Sequence, residues 1–411
     1  MNFNKKFLLV FAIFLISTMF LSGYESNCSF NSINNTVNNS KLSKNSMVSV
    51  SIREIQSGKI AYQKDANLLL HPASTLKAFT TPVVLDVLGT NYKLSTGIYK
   101  DNKGNIYLKL CGDPQLTTEK LSKLLYNFKN KGYSIIKGDL YIDDTAVDNI
   151  SWGVGWMWGD ANNPYMPKYN AYNINRNLII IKISSGGANQ KQVEKVVPVA
   201  NPEKFFKTQL TKAIKDNKIN FSGSYKKAKL PPNAVLVTEV SHKLIDELKI
   251  TNKKSDNLAA ETLFKLTGGR YTGQTGSTEN GLKAFNGFYS KQGLDTSTIS
   301  IVDASGVSQN DLITANWMTS ALTNLYKRGN FATYKSTLAT PSEIGTLQNR
   351  LLPLKGRLYA KTGTNAGVSA ITGYVTDKCG NTFAFSIIIQ NFKDSSKPAK
   401  ELEDAILQIF N

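Results

Sequence analysis

The sequence predicts an α/β protein of the α+β kind, divided into two domains or three, and three observations point there. Its 411 residues, 41% hydrophobic and 10% aromatic, suffice to bury a large core. Helix-length apolar patterns run from residues 71 to 89 and 251 to 269. Between them GNIYLKLCG, GDLYIDD and NLIIIKIS read as strands, with a helix-like TEKLSKLLYNFKNKG between the first two.

The chain opens MNFNKKFLLVFAIFLISTMFLSG, in which Lys5 and Lys6 precede an apolar run over 7–16 that weakens at Ser17 and Thr18 and ends in Ser22 and Gly23. That order reads as a secretory signal peptide over 1–23 and places the protein outside the cytoplasmic membrane. Because the apolar stretch extends to Leu21, an uncleaved tether is the alternative. A lipoprotein would need cysteine where Tyr24 stands. Residues 24–46 are rich in Asn and Ser and read as a solvated, disordered tether, with folding from Met47 onward.

Three cysteines, Cys28, Cys111 and Cys379, have no paired spacing, so neither a disulfide framework nor a structural metal is expected; the last two read as small core residues. The net charge of +19 is dispersed in pairs such as Lys226-Lys227 and Lys253-Lys254. Dispersed lysine argues against nucleic acid, which calls for basic residues clustered with aromatics, and favours residence near an anionic wall or membrane surface. With only His71 and His242, both reading as surface or cap residues, a Ser-His-Asp hydrolase has few ways to be assembled.

HPASTLKAFTTPVVLDVLG (71–89) sets Ser74 and Lys77 three apart, on one helix face, ahead of the apolar positions Phe79, Val83, Val84, Val87 and Leu88. Burial and the positive end of the helix both disfavour a lysine cation there, which suits a base beside a serine nucleophile. TNKKSDNLAAETLFKLTGG (251–269) carries Ser255-Asp256-Asn257 at the head of a helix with Leu258, Leu263 and Leu266 as core positions. GRLYAKTGTNAGVSAITGYV (356–375) carries Lys361-Thr362-Gly363 at the end of a strand, followed by a turn and a second strand. Singly, these are an N-cap and a hairpin edge. In this order they form the signature of class A β-lactamases and penicillin-binding proteins.

More specifically, the chain from about residue 51 to its end resembles the D-alanyl-D-alanine carboxypeptidase/endopeptidase group of low-molecular-mass penicillin-binding proteins. LKLCGDPQL (108–116), GDLYIDDTAVD (138–148), GWMWGDANNPYMPKYNAYNINRN (155–177) and IVDASGVSQNDLIT (301–314) also carry the likeness, in the group's order. The resemblance implies a DD-peptidase catalytic domain from 47–92 and 236–411, an antiparallel sheet with helices on both faces. It also implies a mainly β inserted domain over 93–235, which accounts for the long separation of Ser74 from Ser255.

The implied chemistry is a serine-type D-Ala-D-Ala carboxypeptidase, with endopeptidase activity on cross-links, that acts on peptidoglycan stem peptides, is acylated by β-lactams and needs no metal or cofactor. Ser74 is the nucleophile and Lys77 its base, and Lys361 helps keep Lys77 deprotonated. Ser255 relays a proton to the leaving amine, while Asn257 orients Lys77 and the substrate amide. Thr362 and Thr364 hold the terminal carboxylate, Gly363 permits close approach of substrate, and the N–H groups of Ser74 and Thr364 form the oxyanion hole. Asp143, beside Asp144, is expected to meet a free amine of the stem peptide. Trp152, Trp156 and Trp158 are expected to pack between domains. Ser305 and Gly306 resemble a loop lining the site, although Ala304 stands where a glycine is expected. A β-lactamase and a catalytically idle wall-binding protein are the rival readings; no deacylating glutamate of the class A kind is identified.

Overall fold

The computed structural model describes residues 30–184 and 192–411. The expected signal peptide and Cys28 lie outside the described residues. One antiparallel sheet has the strand order Leu358–Asn365, Val368–Thr376, Thr382–Gln390, Met47–Glu54, Ile60–Lys64, so the two ends of the chain pair with each other at its centre. The run TFAFSIIIQ explains its central position. Phe383, Phe385, Ile387 and Ile389 belong to one core with the helix Lys397–Leu407, and Ala384 and Ile388 to the other, with the helices Lys77–Leu88, Asn257–Thr272 and Ala315–Tyr326. Alternate side chains of a strand face opposite ways, so a strand apolar at nearly every position is buried on both faces. Each such Phe or Ile contributes about 1.5–3 kcal/mol. The expected antiparallel sheet with helices on both faces is therefore present.

A second sheet has the order Tyr225–Lys227, Leu140–Asp143, Ile106–Lys109, Lys93–Lys100, Val235–Lys243, with both parallel and antiparallel neighbours. Its first and last strands in the chain lie side by side, Lys93 opposite Lys243, so residues 93–243 leave and rejoin the rest of the chain at one place. The strand Val235–Lys243 begins at the far bound expected for the inserted region and runs past it. The helix Thr118–Asn130 forms as its pattern predicts, with Leu121, Leu124, Leu125 and Phe128 buried and Thr117 accepting from the Lys120 N–H as N-cap. It packs against a second helix, Pro202–Asp216. NLIIIKIS forms the strand Leu178–Ser184, paired with Gln192–Pro198.

Three expectations are corrected. The tether ends sooner, because Asn31–Asn38 is a helix whose Ile33 and Val37, four residues apart on one face, are buried, and Phe30 packs edge-on against Phe383 and Phe410. Asn-rich composition hid that pair. Cys111 does pack against the core, but Cys379 is exposed in the turn after Asp377. Trp152 and Trp156 join Tyr169, Leu258 and Val307 in a small core, whereas Trp158 is 91% exposed.

Candidate active site

Ser74 lies in a 3-10 turn, Ala73–Leu76, that runs into the helix Lys77–Leu88. His71 is buried rather than exposed, and its Nδ1 accepts the Ala73 N–H at 3.0 Å, fixing the entry to the turn. Pro82 sits inside the helix and cannot donate to the carbonyl four residues back. The Tyr334 hydroxyl donates to that carbonyl, on Ala78, at 2.8 Å, and the Tyr289 hydroxyl to that of Phe79 at 2.8 Å. Two buried tyrosines thus hold a helix that its own proline weakens.

Lys77 is completely buried, with its Nζ 2.8 Å from Ser74 Oγ, 2.6 Å from Asn257 Oδ1 and 2.7 Å from the Ser305 carbonyl oxygen. The two carbonyl oxygens can only accept. A neutral amine satisfies both with its two N–H groups and turns its lone pair to the Ser74 hydroxyl, as a general base must. Burial lowers Lys77 from 10.5 to about 8, against the pull of Asp303, Glu261, Asp256 and Asp311. Lys361 is also fully buried. It is pushed well below its ordinary value by burial first and by Lys77 second. The repulsion between the two lysines thus registers at Lys361; at Lys77 desolvation, rather than the second cation, leads.

Asp256 caps the helix Asn257–Thr272 by accepting from the Ala259 N–H at 3.1 Å, which starts the helix at Asn257. The Asn257 amide donates to the Tyr165 carbonyl at 2.9 Å, leaving its own oxygen for Lys77. Lys361, in the strand Leu358–Asn365, donates to Ser255 Oγ at 2.9 Å and to the Thr362 carbonyl at 2.7 Å. A side chain on Gly363 would come within 2.9 Å of the Ser74 nitrogen and 3.0 Å of the Pro72 oxygen. Its bareness therefore makes room for the turn that carries Ser74. Ser74, Ser255, Asn257, Thr362 and Thr364 line one cavity of about 440 Å³, closed on another side by Gly306 and Val307.

The loop behind Lys77 hangs on two carboxylates. Asp303 accepts the N–H groups of Gly306, Val307 and Ser308 and the Trp156 indole at 2.7–3.1 Å. Glu261 accepts those of Ala304 and Ser305 at 3.0 and 2.9 Å, which aims the Ser305 carbonyl at Lys77. Burial and Asp303 raise Glu261. Gly306 has φ +73 and its missing side chain would meet the Ala73 carbonyl, so this loop packs directly on the turn that carries Ser74. Neither acid was identified from sequence. Glu261 lies four residues after Asn257 on one helix face, and that spacing is the signal that would have found it.

Asp143 is not brought to the cavity. Its carboxylate is 3% exposed and accepts from the Thr145 N–H and hydroxyl and from the Leu230 N–H, so it closes a turn at a strand end. Asp144 pairs with Lys227 and Tyr172. Away from Ser74, and among the described residues, Asp113, His242 and Glu247 form a set close enough to share a metal ion. His242, however, is no surface residue: its Nδ1 faces Asp113 at 3.4 Å and its Nε2 faces Glu247 at 3.2 Å. One ion cannot bind both ring nitrogens, and this geometry is that of an imidazolium bridging two carboxylates.

A model of the D-Ala-D-Ala carboxypeptidase 3 (S13) family matches residues 30–193 and 183–410. The chain is 25% identical over 432 residues to the D-alanyl-D-alanine carboxypeptidase DacB of Haemophilus influenzae, covering 90% of each chain. It is equally identical to a D-alanyl-D-alanine carboxypeptidase of an Actinomadura species, covering 87% of this chain and 80% of that one. The crystal structure of penicillin binding protein 4 from Haemophilus influenzae superimposes with a TM-score of 0.82 at 22% identity, covering 92% of this chain and 98% of that one. A penicillin G-acylated endopeptidase of Bdellovibrio bacteriovorus superimposes with a TM-score of 0.56 at 17% identity, covering 89% and 93%.

Proposed function

Because the chain belongs to the D-Ala-D-Ala carboxypeptidase 3 (S13) family, we propose that it is a penicillin-sensitive serine D-Ala-D-Ala carboxypeptidase, able also to act as an endopeptidase, that trims peptidoglycan stem peptides outside the cytoplasmic membrane. The observation that carries this reading is the buried Lys77 amine, 2.8 Å from Ser74 Oγ with two carbonyl oxygens fixing its N–H groups.

Ser74 Oγ attacks the carbonyl carbon of the penultimate D-alanine as its proton passes to Lys77 Nζ. The N–H groups of Ser74 and Thr364 take the developing oxyanion, a contribution of about 3 kcal/mol per well-placed donor. The C–N bond breaks as Ser255, hydrogen-bonded to Lys361, hands a proton to the departing amine. The Lys77 proton replaces it through the same cavity. Water then attacks the acyl ester, with Lys77 again accepting the proton, and Ser74 is regenerated. Thr362, Thr364 and Lys361 hold the terminal carboxylate, whose charge offsets the cost of protonating the buried Lys361. The basic surface suits an anionic wall or membrane face.

Incubation with benzylpenicillin followed by intact-protein mass spectrometry tests the assignment. One penicilloyl adduct is expected on the native protein and none on Ser74→Ala, with unchanged circular dichroism. An adduct retained by Ser74→Ala would sink it. Release of D-alanine from purified pentapeptide muropeptides tests the activity itself.

A further inference from the structure

A second cavity, of about 750 Å³, adjoins the catalytic one and shares Tyr165, Lys254, Ser255 and Asn257 with it, but not Ser74 or the Thr362–Thr364 strand edge. It lies beyond Ser255, the residue beside the departing amine. Its walls include Leu116, Lys120, Arg176 and Val196 of the inserted region, facing Ser255 and Asp256 of the catalytic motif. A single departing D-alanine, held by its carboxylate in the first cavity, leaves a space of this size unused.

The lining is basic and built at some cost. Asn175, Arg176 and Asn177 all have positive φ, 47°, 59° and 54°; asparagine tolerates that region, but Arg176 costs on the order of 1–3 kcal/mol there. The turn is held by Asn175, whose side chain accepts the Thr118 N–H at 2.9 Å and whose N–H donates to the Leu116 carbonyl, and by Asn177, whose amide donates to the Lys168 carbonyl at 2.8 Å. Its product is an ion pair between Arg176 and Asp256, with the guanidinium side chain still 41% exposed. Lys120 and Lys254 make no ion pair among the described residues, and Asp256, committed to Arg176, is the one acid in the lining.

We infer that this cavity receives the departing strand when the scissile bond is a cross-link, and that it selects a strand bearing free carboxylates. The inference rests on the proposed function and deepens it. The reaction is the same acyl transfer, with the departing amine now belonging to a second stem peptide instead of free D-alanine. That strand passes Ser255 into the basic cavity, where Lys120, Lys254 and the outer edge of Arg176 meet its carboxylates.

Two substrates separate the claims: an uncross-linked pentapeptide muropeptide and a cross-linked dimer with free glutamate carboxylates. Lys120→Glu should lower kcat/KM for the dimer about fivefold to tenfold at low salt, less at high salt. D-Alanine release from the pentapeptide and penicillin acylation should stay within about twofold, which also verifies folding. Val196→Trp, which fills the cavity without changing charge, should slow the dimer selectively. Amidating the glutamate carboxylates should reproduce the Lys120→Glu loss in the native protein. Equal losses on both substrates, or no loss on either, would overturn the inference alone; failure of the native protein to cleave the dimer while it trims the pentapeptide would overturn it together with the endopeptidase half of the proposed function. Absence of both penicillin labelling and pentapeptide hydrolysis would overturn the proposed function and this inference with it.

Discussion

In the proposed reaction Lys77 works only while it lacks a proton, and its surroundings decide when that is. Burial lowers it to about 8, so at pH 7 about one molecule in ten carries the base form. Acylation of Ser74 should therefore rise about tenfold per pH unit below 8 and level off above it, because the amine loses its proton as pH increases. Lys77→Ala should slow acylation roughly 10²- to 10⁴-fold. Lys77→Arg should be no better, since a guanidinium stays protonated and cannot accept. Stopped-flow acylation by a chromogenic β-lactam between pH 5.5 and 9.5 checks this, and an arginine variant with near-native rates would mean that Lys77 acts only as a charge. That Ser74, Lys77, Ser255, Asn257 and Lys361 would come together was legible because each lies in a motif of three or four consecutive residues. Glu261 and Asp303 were not, because they act by accepting backbone N–H groups of the 304–308 loop, contacts that no local pattern records. Asp143 misled for the converse reason: an acidic pair after a strand looks the same whether its carboxylate faces solvent or a turn.

Among the elements, the helix Asn31–Asn38 gives the sharpest test of how composition and packing compete. Its mean character is polar, and an isolated eight-residue helix is not stable in water. It forms because Ile33 and Val37 fit between the helix Lys397–Leu407 and the sheet. Ile33→Ala should cost about 2–4 kcal/mol, as other truncations of buried Ile do, read as a lower midpoint in urea, while penicillin acylation of the folded protein is unchanged. A loss below about 0.5 kcal/mol, the range of surface substitutions, would mean that the segment does not pack. Elements whose apolar spacing is dense were legible, as at Leu121, Leu124, Leu125 and Phe128. Pairing of Met47–Glu54 with Thr382–Gln390 was not, since strands carry no local mark of a partner more than three hundred residues away. That VLVTEV continues as strand through SHK was not legible either, since polar residues there conceal the pairing of His242 with Leu94.

For the whole molecule, the place where residues 93–243 rejoin the rest of the chain is held by charge. Asp113 follows the second sheet, His242 ends its returning strand, and Glu247 lies in the next helix, Leu244–Lys253, where Gln115 also donates to its Oε2 at 2.5 Å. Burial pulls His242 down, but a hydrogen bond to Glu247 and the nearby charge of Asp113 outweigh it and lift the imidazolium from 6.5 to about 9. Burial raises Glu247, opposed by His242 and Gln115. A histidine with a raised folded pKa contributes stability that is fully present below its unfolded value of 6.5 and is lost as pH rises through 9. At the acid end the bridge needs Glu247 ionised, which sets its lower limit. The native protein should therefore exceed His242→Gln in stability by on the order of 1 kcal/mol near pH 6.5, a modest figure because the ring is partly solvated. That gap should close between pH 8 and 10, when the ring turns neutral and the carboxylates lose their shared cation. Paired urea denaturations of the two proteins across that range read it directly. Since the same joint carries Arg176 to Asp256 beside Ser255, loosening it should also slow cross-link cleavage before it unfolds the chain. A gap that persists unchanged at pH 10 would mean that His242 stabilises by packing rather than by charge.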